Sequence, residues 1–147
     1  MSSDSMTQLG ALVGDLHRLL RRSATRRANR PELPDAQAEL MLLVRANPGV
    51  SVKEAASRMG TAPNTVSTLV RDLGAAGLMR RERDPVDGRV ARLRVTEAAE
   101  QRIADHHRHR VALLTDALNR LDPEAREAVT AAVPHLERLA ELLRESG

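Results

Sequence analysis

The chain contains no cysteine, phenylalanine, tyrosine or tryptophan. Without cysteine there are no disulfides, no thiolate metal centre and no thiol-based redox sensing. Without aromatic rings there is no platform on which unpaired bases could stack, which argues against single-strand binders and RNA-recognition sheets. Runs of about 18 apolar residues are also missing, so no membrane-spanning helix is expected. The N-terminal stretch MSSDSMTQLG lacks the basic start and apolar core of a signal peptide, which points to a cytoplasmic protein. No nucleophile–base pair, phosphate-binding loop or metalloprotease motif occurs, so neither an enzyme nor a cofactor is expected.

What is present is ordinary in amount and unusual in placement. The 147 residues fit one domain, or a small domain with helical extensions, with a core that aliphatic side chains must supply. The net charge of +3 is distributed unevenly. Residues 1–50 hold seven Arg against five acids, residues 51–95 nine Lys and Arg against five acids, and residues 96–147 seven Arg against ten acids. The centre is therefore basic and the final third acidic, which suggests a polyanionic partner for the centre alone. With stacking unavailable, duplex DNA is the best candidate.

Local signals divide the chain into helices and one hairpin. LGALVGDLHRLLRR sets Leu9, Leu12, Val13, Leu16, Leu19 and Leu20 on one helical face, and ATRRANRPELPD then breaks the pattern. Asp35 is placed to cap a second helix, AQAELMLLVRAN. Ser51 and Glu54 form a capping box for a short third helix that Gly60 should end. Pro63 suits the first position of a fourth helix, in which Val66, Leu69, Val70 and Leu73 face inward. Two strands follow, 78–84 and 89–95, where Ala91, Leu93 and Val95 alternate with Arg92 and Arg94. Thr96 caps a long helix over about 97–121. Asp122-Pro123 opens a last helix that Pro134 should kink or split.

Two short helices, a tight turn and a hairpin make a winged helix-turn-helix in a mainly α chain. Such a fold needs a second helix with one buried face and one face of short polar side chains for a major groove. Pro63, Asn64, Thr65, Ser67, Thr68 and Arg71 provide that outward set, and Arg71 can reach guanine or phosphate. The hairpin arginines Arg81, Arg83, Arg89 and Arg92 can reach flanking phosphates or a minor groove. The plain alternatives are a solvated strand edge, on which charge discourages aggregation, and an ordinary polar helix face. The succession of helix-turn-helix and hairpin weighs against both.

The stretch LVRDLGAAGLMRRERDPVDGR, followed by LRVTEAA, resembles the MarR family of winged helix-turn-helix transcriptional regulators, and the similarity is densest in residues 49–99. The resemblance implies a winged DNA-binding unit at 34–96, with 1–33 and 97–147 forming a helical dimerisation region. It implies a homodimer on a roughly palindromic duplex site, most often as a repressor, with a small-molecule effector modulating binding. The wing residue matching Arg89 would enter the minor groove, and Asp87 would hold the wing. Leu9, Leu12, Leu16, Leu118, Leu136, Leu139 and Leu143 would line the dimer seam. The chain departs from the family pattern at Ala62, where Ser usually caps the recognition helix, and at Gly74. It departs again at Gly88, a frequent second arginine, and at Ala38, where an aromatic is common in the effector cleft.

Two other features carry alternatives. Asp105, His106 and His109 share helical spacing compatible with a metal pair, which would make a metal-responsive regulator, against a polar helix surface or dimer seam. The run Arg21, Arg22, Arg26, Arg27 could meet phosphates or simply be a solvated helix end. A winged helix that docks proteins without binding DNA is the competing class of function.

Overall fold

The computed structural model describes residues 2–146, except for the side chains of Ala24, Thr25, Arg27 and Ala28. Arg27, part of the basic run, therefore lies outside the described side chains. The order is α1 (Ser3–Ala28), α2 (Asp35–Ala46), α3 (Val52–Met59), α4 (Pro63–Ala75), β1 (Met79–Arg83), β2 (Ala91–Val95), α5 (Glu97–Leu118) and α6 (Pro123–Glu145). The protein is mainly helical with one two-stranded antiparallel hairpin, as the sequence pattern led us to expect.

The caps that act over three residues form as read. Ser51 Oγ accepts the Glu54 N–H at 3.1 Å while the Glu54 carboxylate accepts the Ser51 N–H, completing the capping box. Gly60 closes α3 in the left-handed region at φ 64°, where a side chain would be strained. Thr96 and Asp122 cap α5 and α6 through side-chain oxygens. Ala62 leaves α4 without a side-chain cap, and Pro63 opens it.

Four boundaries differ from the sequence reading. ATRRA does not end the first helix; α1 runs to Ala28 and stops at Asn29 in the left-handed region (φ 50°). Arginine and alanine are good helix formers, and the two prolines begin only at Pro31. The cap of α2 is Pro34, with no side-chain bond, and Asp35 instead pairs with Arg21 of α1. Helix α5 stops at Leu118, three residues early. Pro134 does not split α6, which continues from Pro123 to Glu145. One missing N–H removes one rung, and the turns on either side keep theirs.

The core lies in the central segment. Leu40 and Val44 of α2, Ala55 of α3, Val66 and Leu73 of α4, and Leu93 of β2 are all fully buried, and Ala99 of α5 joins them. The strands pair Met79 with Val95 and Arg83 with Ala91 at the two ends of the register. A third short segment docks on β2: Gly49 N–H donates to Leu93 O and Leu93 N–H to Val50 O, both at 2.9 Å. At the foot of the hairpin, Thr96 Oγ1 donates to Gly77 O at 2.6 Å and Thr96 N–H to Leu78 O at 3.2 Å. Helix α1 packs along α5. By contrast, α6 contains no buried residue, and Val129, Val133, Leu136, Leu139, Leu142 and Leu143 stand exposed along it.

Candidate nucleic-acid interface

Helix α4 is held by its apolar face and presents the other. Val66, Val70 and Leu73 are buried, whereas Pro63, Asn64, Thr65, Thr68 and Arg71 are exposed and Ser67 is half-buried. Thr68 Oγ1 donates back to Asn64 O at 3.2 Å, the usual resting bond of a helical threonine. Arg71 reaches only the neighbouring Asp72, at 3.8 Å and with its side chain largely in solvent. The face is therefore short, polar and cationic at one end. A shallow groove separates it from β1, lined by Ser67, Thr68, Arg71, Gly74 and Arg81.

The wing is braced by carboxylates more than its sequence suggests. Asp84 Oδ1 accepts the backbone N–H groups of Val86 (2.8 Å) and Asp87 (3.0 Å), and its Oδ2 accepts Arg92 Nε at 2.8 Å. The Asp87 and Val86 N–H bonds, then the Arg92 guanidinium, lower the Asp84 carboxyl to a pKa of about 2. Asp87 Oδ1 in turn accepts the Arg89 N–H at 3.1 Å. The two strands end earlier than 84 and 89 because Asp84 folds the chain into this turn, with Asp84 N–H bonded to Val90 O at 3.0 Å.

These contacts sort the wing arginines into two groups. Arg92 is half-buried and turned inward, against Asp84, Glu54 at 3.8 Å and the Gly49 carbonyl at 3.4 Å. Arg94 sits on Glu82 at 2.8 Å, and Arg80 reaches the same carboxylate at 3.3 Å. The basic face expected of β2 is thus largely neutralised. Arg81 is exposed, and its guanidinium donates to Ser67 O at 3.4 Å, tying β1 to the recognition helix. Among the described residues no ion pair or side-chain hydrogen bond engages Arg83 or Arg89, and both are exposed. The free cations beside α4 are therefore these two, with Arg71 weakly held.

The sequence reading missed Asp84, which does the work of holding arginine that it had given to Asp87. An Asp two residues before a turn that itself contains Asp was the available signal, since Asp side chains bond the backbone two and three residues on.

The dimer-seam candidates do not gather into this chain's core. Leu12, Leu16, Leu136, Leu139 and Leu143 are exposed, and Leu9 and Leu118 half-buried. Asp105, His106 and His109 lie on α5 but do not converge with a third ligand. Among the described residues no group of three or more His, Asp or Glu side chains is placed to hold a metal ion. Asp105 is instead engaged by Arg108 and, at 3.7 Å, by Arg30. His106 is held below the ordinary imidazole pKa, first by burial and then by the charges of Arg110 and Arg21. The buried His109 Nδ1 has no hydrogen-bond partner among the described residues.

A helix-turn-helix whose second helix is exposed beside a braced β-hairpin defines the winged helix-turn-helix class. Residues 32–90 match the model of the MarR family, and the chain belongs to that family. Solved structures share the fold along nearly the whole chain. A protein described as a transcriptional regulator from Pseudomonas aeruginosa PA01 is 24% identical with a TM-score of 0.81, over 94% of this chain and 95% of that one. RV1404 from Mycobacterium tuberculosis is 16% identical with a TM-score of 0.78, over 94% of each. Streptococcus pneumoniae FabT, solved in complex with DNA, is 16% identical with a TM-score of 0.66, over 95% of this chain and 99% of FabT. No curated protein sequence matches the chain. Among the described residues no helix is long and apolar enough to cross a membrane.

Proposed function

We propose that this protein is a homodimeric, sequence-specific duplex-DNA-binding transcriptional regulator of the cytoplasm, acting as a repressor whose DNA affinity a small-molecule effector modulates, and not an enzyme. The observation that carries the reading is the exposed Asn64–Arg71 face of α4 beside a wing whose Arg83 and Arg89 have no internal partner. Short amide and hydroxyl groups suit close approach to base edges, and unpaired guanidiniums suit phosphates and a narrow minor groove. In this reading Asn64, Thr65, Ser67 and Thr68 read bases, while Arg71, Arg83 and Arg89 supply cations. Arg81, Asp84, Asp87 and Arg92 position the wing. The DNA-bound state of FabT, a protein of the same fold, supports the assignment.

Dimerisation is supported by the apolar faces left in solvent. Leu12, Leu16 and Leu19 of α1, Val111 and Leu114 of α5, and Val133, Leu136, Leu139 and Leu143 of α6 form more exposed aliphatic surface than a monomer ordinarily carries. Residues 1–33 and 97–147 of two copies covering one another would place two recognition helices on a roughly palindromic site.

The test is binding to the gene's own upstream duplex across a salt series. Affinity should fall steeply, with a log–log slope of roughly 0.9 per neutralised phosphate. Absent or salt-insensitive binding would move the assignment to a protein-docking winged helix.

A further inference from the structure

A cavity of about 200 Å³ opens between α1, α2, α5 and the connector that leads into α2. Leu33, Ala38, Met41, Leu42 and Ile103 give it an aliphatic wall, and Arg30, Arg102 and His106 stand at its polar side. Its charges are out of balance. Arg102 is half-buried, donates to Pro31 O at 2.5 Å, and has no carboxylate partner among the described residues. Arg30 stands close enough for its charge to act on Arg102, and its own partner, Asp105 at 3.7 Å, is shared with Arg108. Burial first, and the Arg30 charge second, disfavour the protonated Arg102 guanidinium. A bound anion would relieve both. Of the anions, a carboxylate fits the planar fork of arginine in bidentate fashion.

The wall decides the rest of the ligand. The chain has no aromatic residue, so an aromatic guest would gain no ring stacking here, whereas an alkyl chain gains full contact with leucine, methionine and isoleucine. The volume lies below the roughly 300–1,000 Å³ of pockets that hold drug-sized ligands, which sets a compact guest.

We propose that this cavity binds a compact aliphatic monocarboxylate, its carboxylate on Arg102 and Arg30 and its chain against Leu33, Ala38, Met41, Leu42 and Ile103, an inference that rests on reading the chain as an effector-modulated regulator. Occupancy also has a route to the DNA-binding face. A carboxylate on Arg102 competes with the Pro31 carbonyl, the bond that ties the α2 leader to α5. Helix α2 packs against α4 through the buried Leu40 and Val44, so releasing its leader changes the mount of the recognition helix. The ligand regulates because it favours the released arrangement over the tied one.

The experiment uses the full chain. Calorimetry without DNA compares octanoate with hexanoate, decanoate, 1-octanol and benzoate. Saturable octanoate binding is expected, tighter than benzoate and absent for 1-octanol. Arg102→Gln should weaken it by about tenfold or more, the loss expected for charge-assisted hydrogen bonds, with Arg102→Lys falling between. Ala38→Leu, which fills the cavity and touches no charge, should abolish binding with helicity unchanged, and it decides the matter if Arg102→Gln fails to fold. The ligand assignment is overturned if no alkyl carboxylate saturates, if 1-octanol or benzoate matches octanoate, or if folded Arg102→Gln or Ala38→Leu binds octanoate like the wild type. In a second arm, octanoate should shift affinity for the upstream duplex in the wild type and not in Ala38→Leu; an unchanged affinity overturns the regulatory route. Octanoate binding with no duplex binding at all leaves the ligand assignment standing and sinks the regulator reading.

Discussion

Replacing Arg89 by alanine separates a contact cation from a structural one. Its side chain is exposed and engages no carboxylate or carbonyl among the described residues, so its loss removes charge without uncovering an acid. The turn keeps its frame, because the bond from Arg89 to Asp87 Oδ1 uses the backbone N–H. A homodimer loses two such contacts. At about 0.9 per neutralised phosphate, the slope of log affinity against log salt should flatten by about 1.8. Between about 50 and 200 mM salt, the ratio of wild-type to variant affinity should then shrink about tenfold. At low salt, two charged contacts of about 1 kcal/mol each give a loss of roughly thirtyfold. Arg94→Ala is the control. Arg94 is held on Glu82 at 2.8 Å, so its removal should change the slope much less. Fluorescence anisotropy on the upstream duplex at several salt concentrations measures both. Parallel lines for wild type and Arg89→Ala, or equal flattening in Arg94→Ala, would refute the division of wing arginines by their internal partners.

Three further outcomes follow from packing and titration. Leu40→Ala removes a fully buried side chain from the centre of the core and should destabilise the protein by about 2–5 kcal/mol, read from urea unfolding at fixed protein concentration. Leu136→Glu and Leu139→Glu place charge on an exposed apolar stripe; they should convert a dimer to monomers in sedimentation, and an unchanged mass would remove α6 from the interface. Asp84 is held at about 2 in the folded chain, below the usual carboxylate value of about 3.9, so its contribution is complete above pH about 4 and is lost as pH falls toward 2. The Val86, Asp87 and Arg92 N–H resonances should move together over that window, and Asp84→Asn should abolish the shared transition.

Signals confined to three or four neighbouring residues were legible in the sequence. Ser51 with Glu54, Pro63, Thr96 and Asp122 each meet a partner within one turn of helix, and all formed as read. Asp35 shows where this stops: at a helix start it reads as a cap, yet Arg21, fourteen positions away in the chain, engages it from α1. The wing makes the same point. Period-two alternation in 91–95 correctly turns Leu93 into the core, but a row of arginines on the other side carries no information about which acids lie across the register. Only the pairing of Glu82 opposite Arg92, with Asp84 folding back beneath it, spends Arg92 and Arg94 internally.

The amino-acid sequence determined the winged helix-turn-helix and its family, because apolar periodicity, capping and turn residues act over short separations that a linear chain displays. The tertiary structure alone decided which cations remain free, since that depends on acids brought near from Glu54, Glu82 and Asp84. It also decided the cavity between α1, α2 and α5, where Arg30 and Arg102, seventy-two positions apart, come to share too little negative charge. Coulomb energy depends on distance in space, and only the folded chain sets that distance.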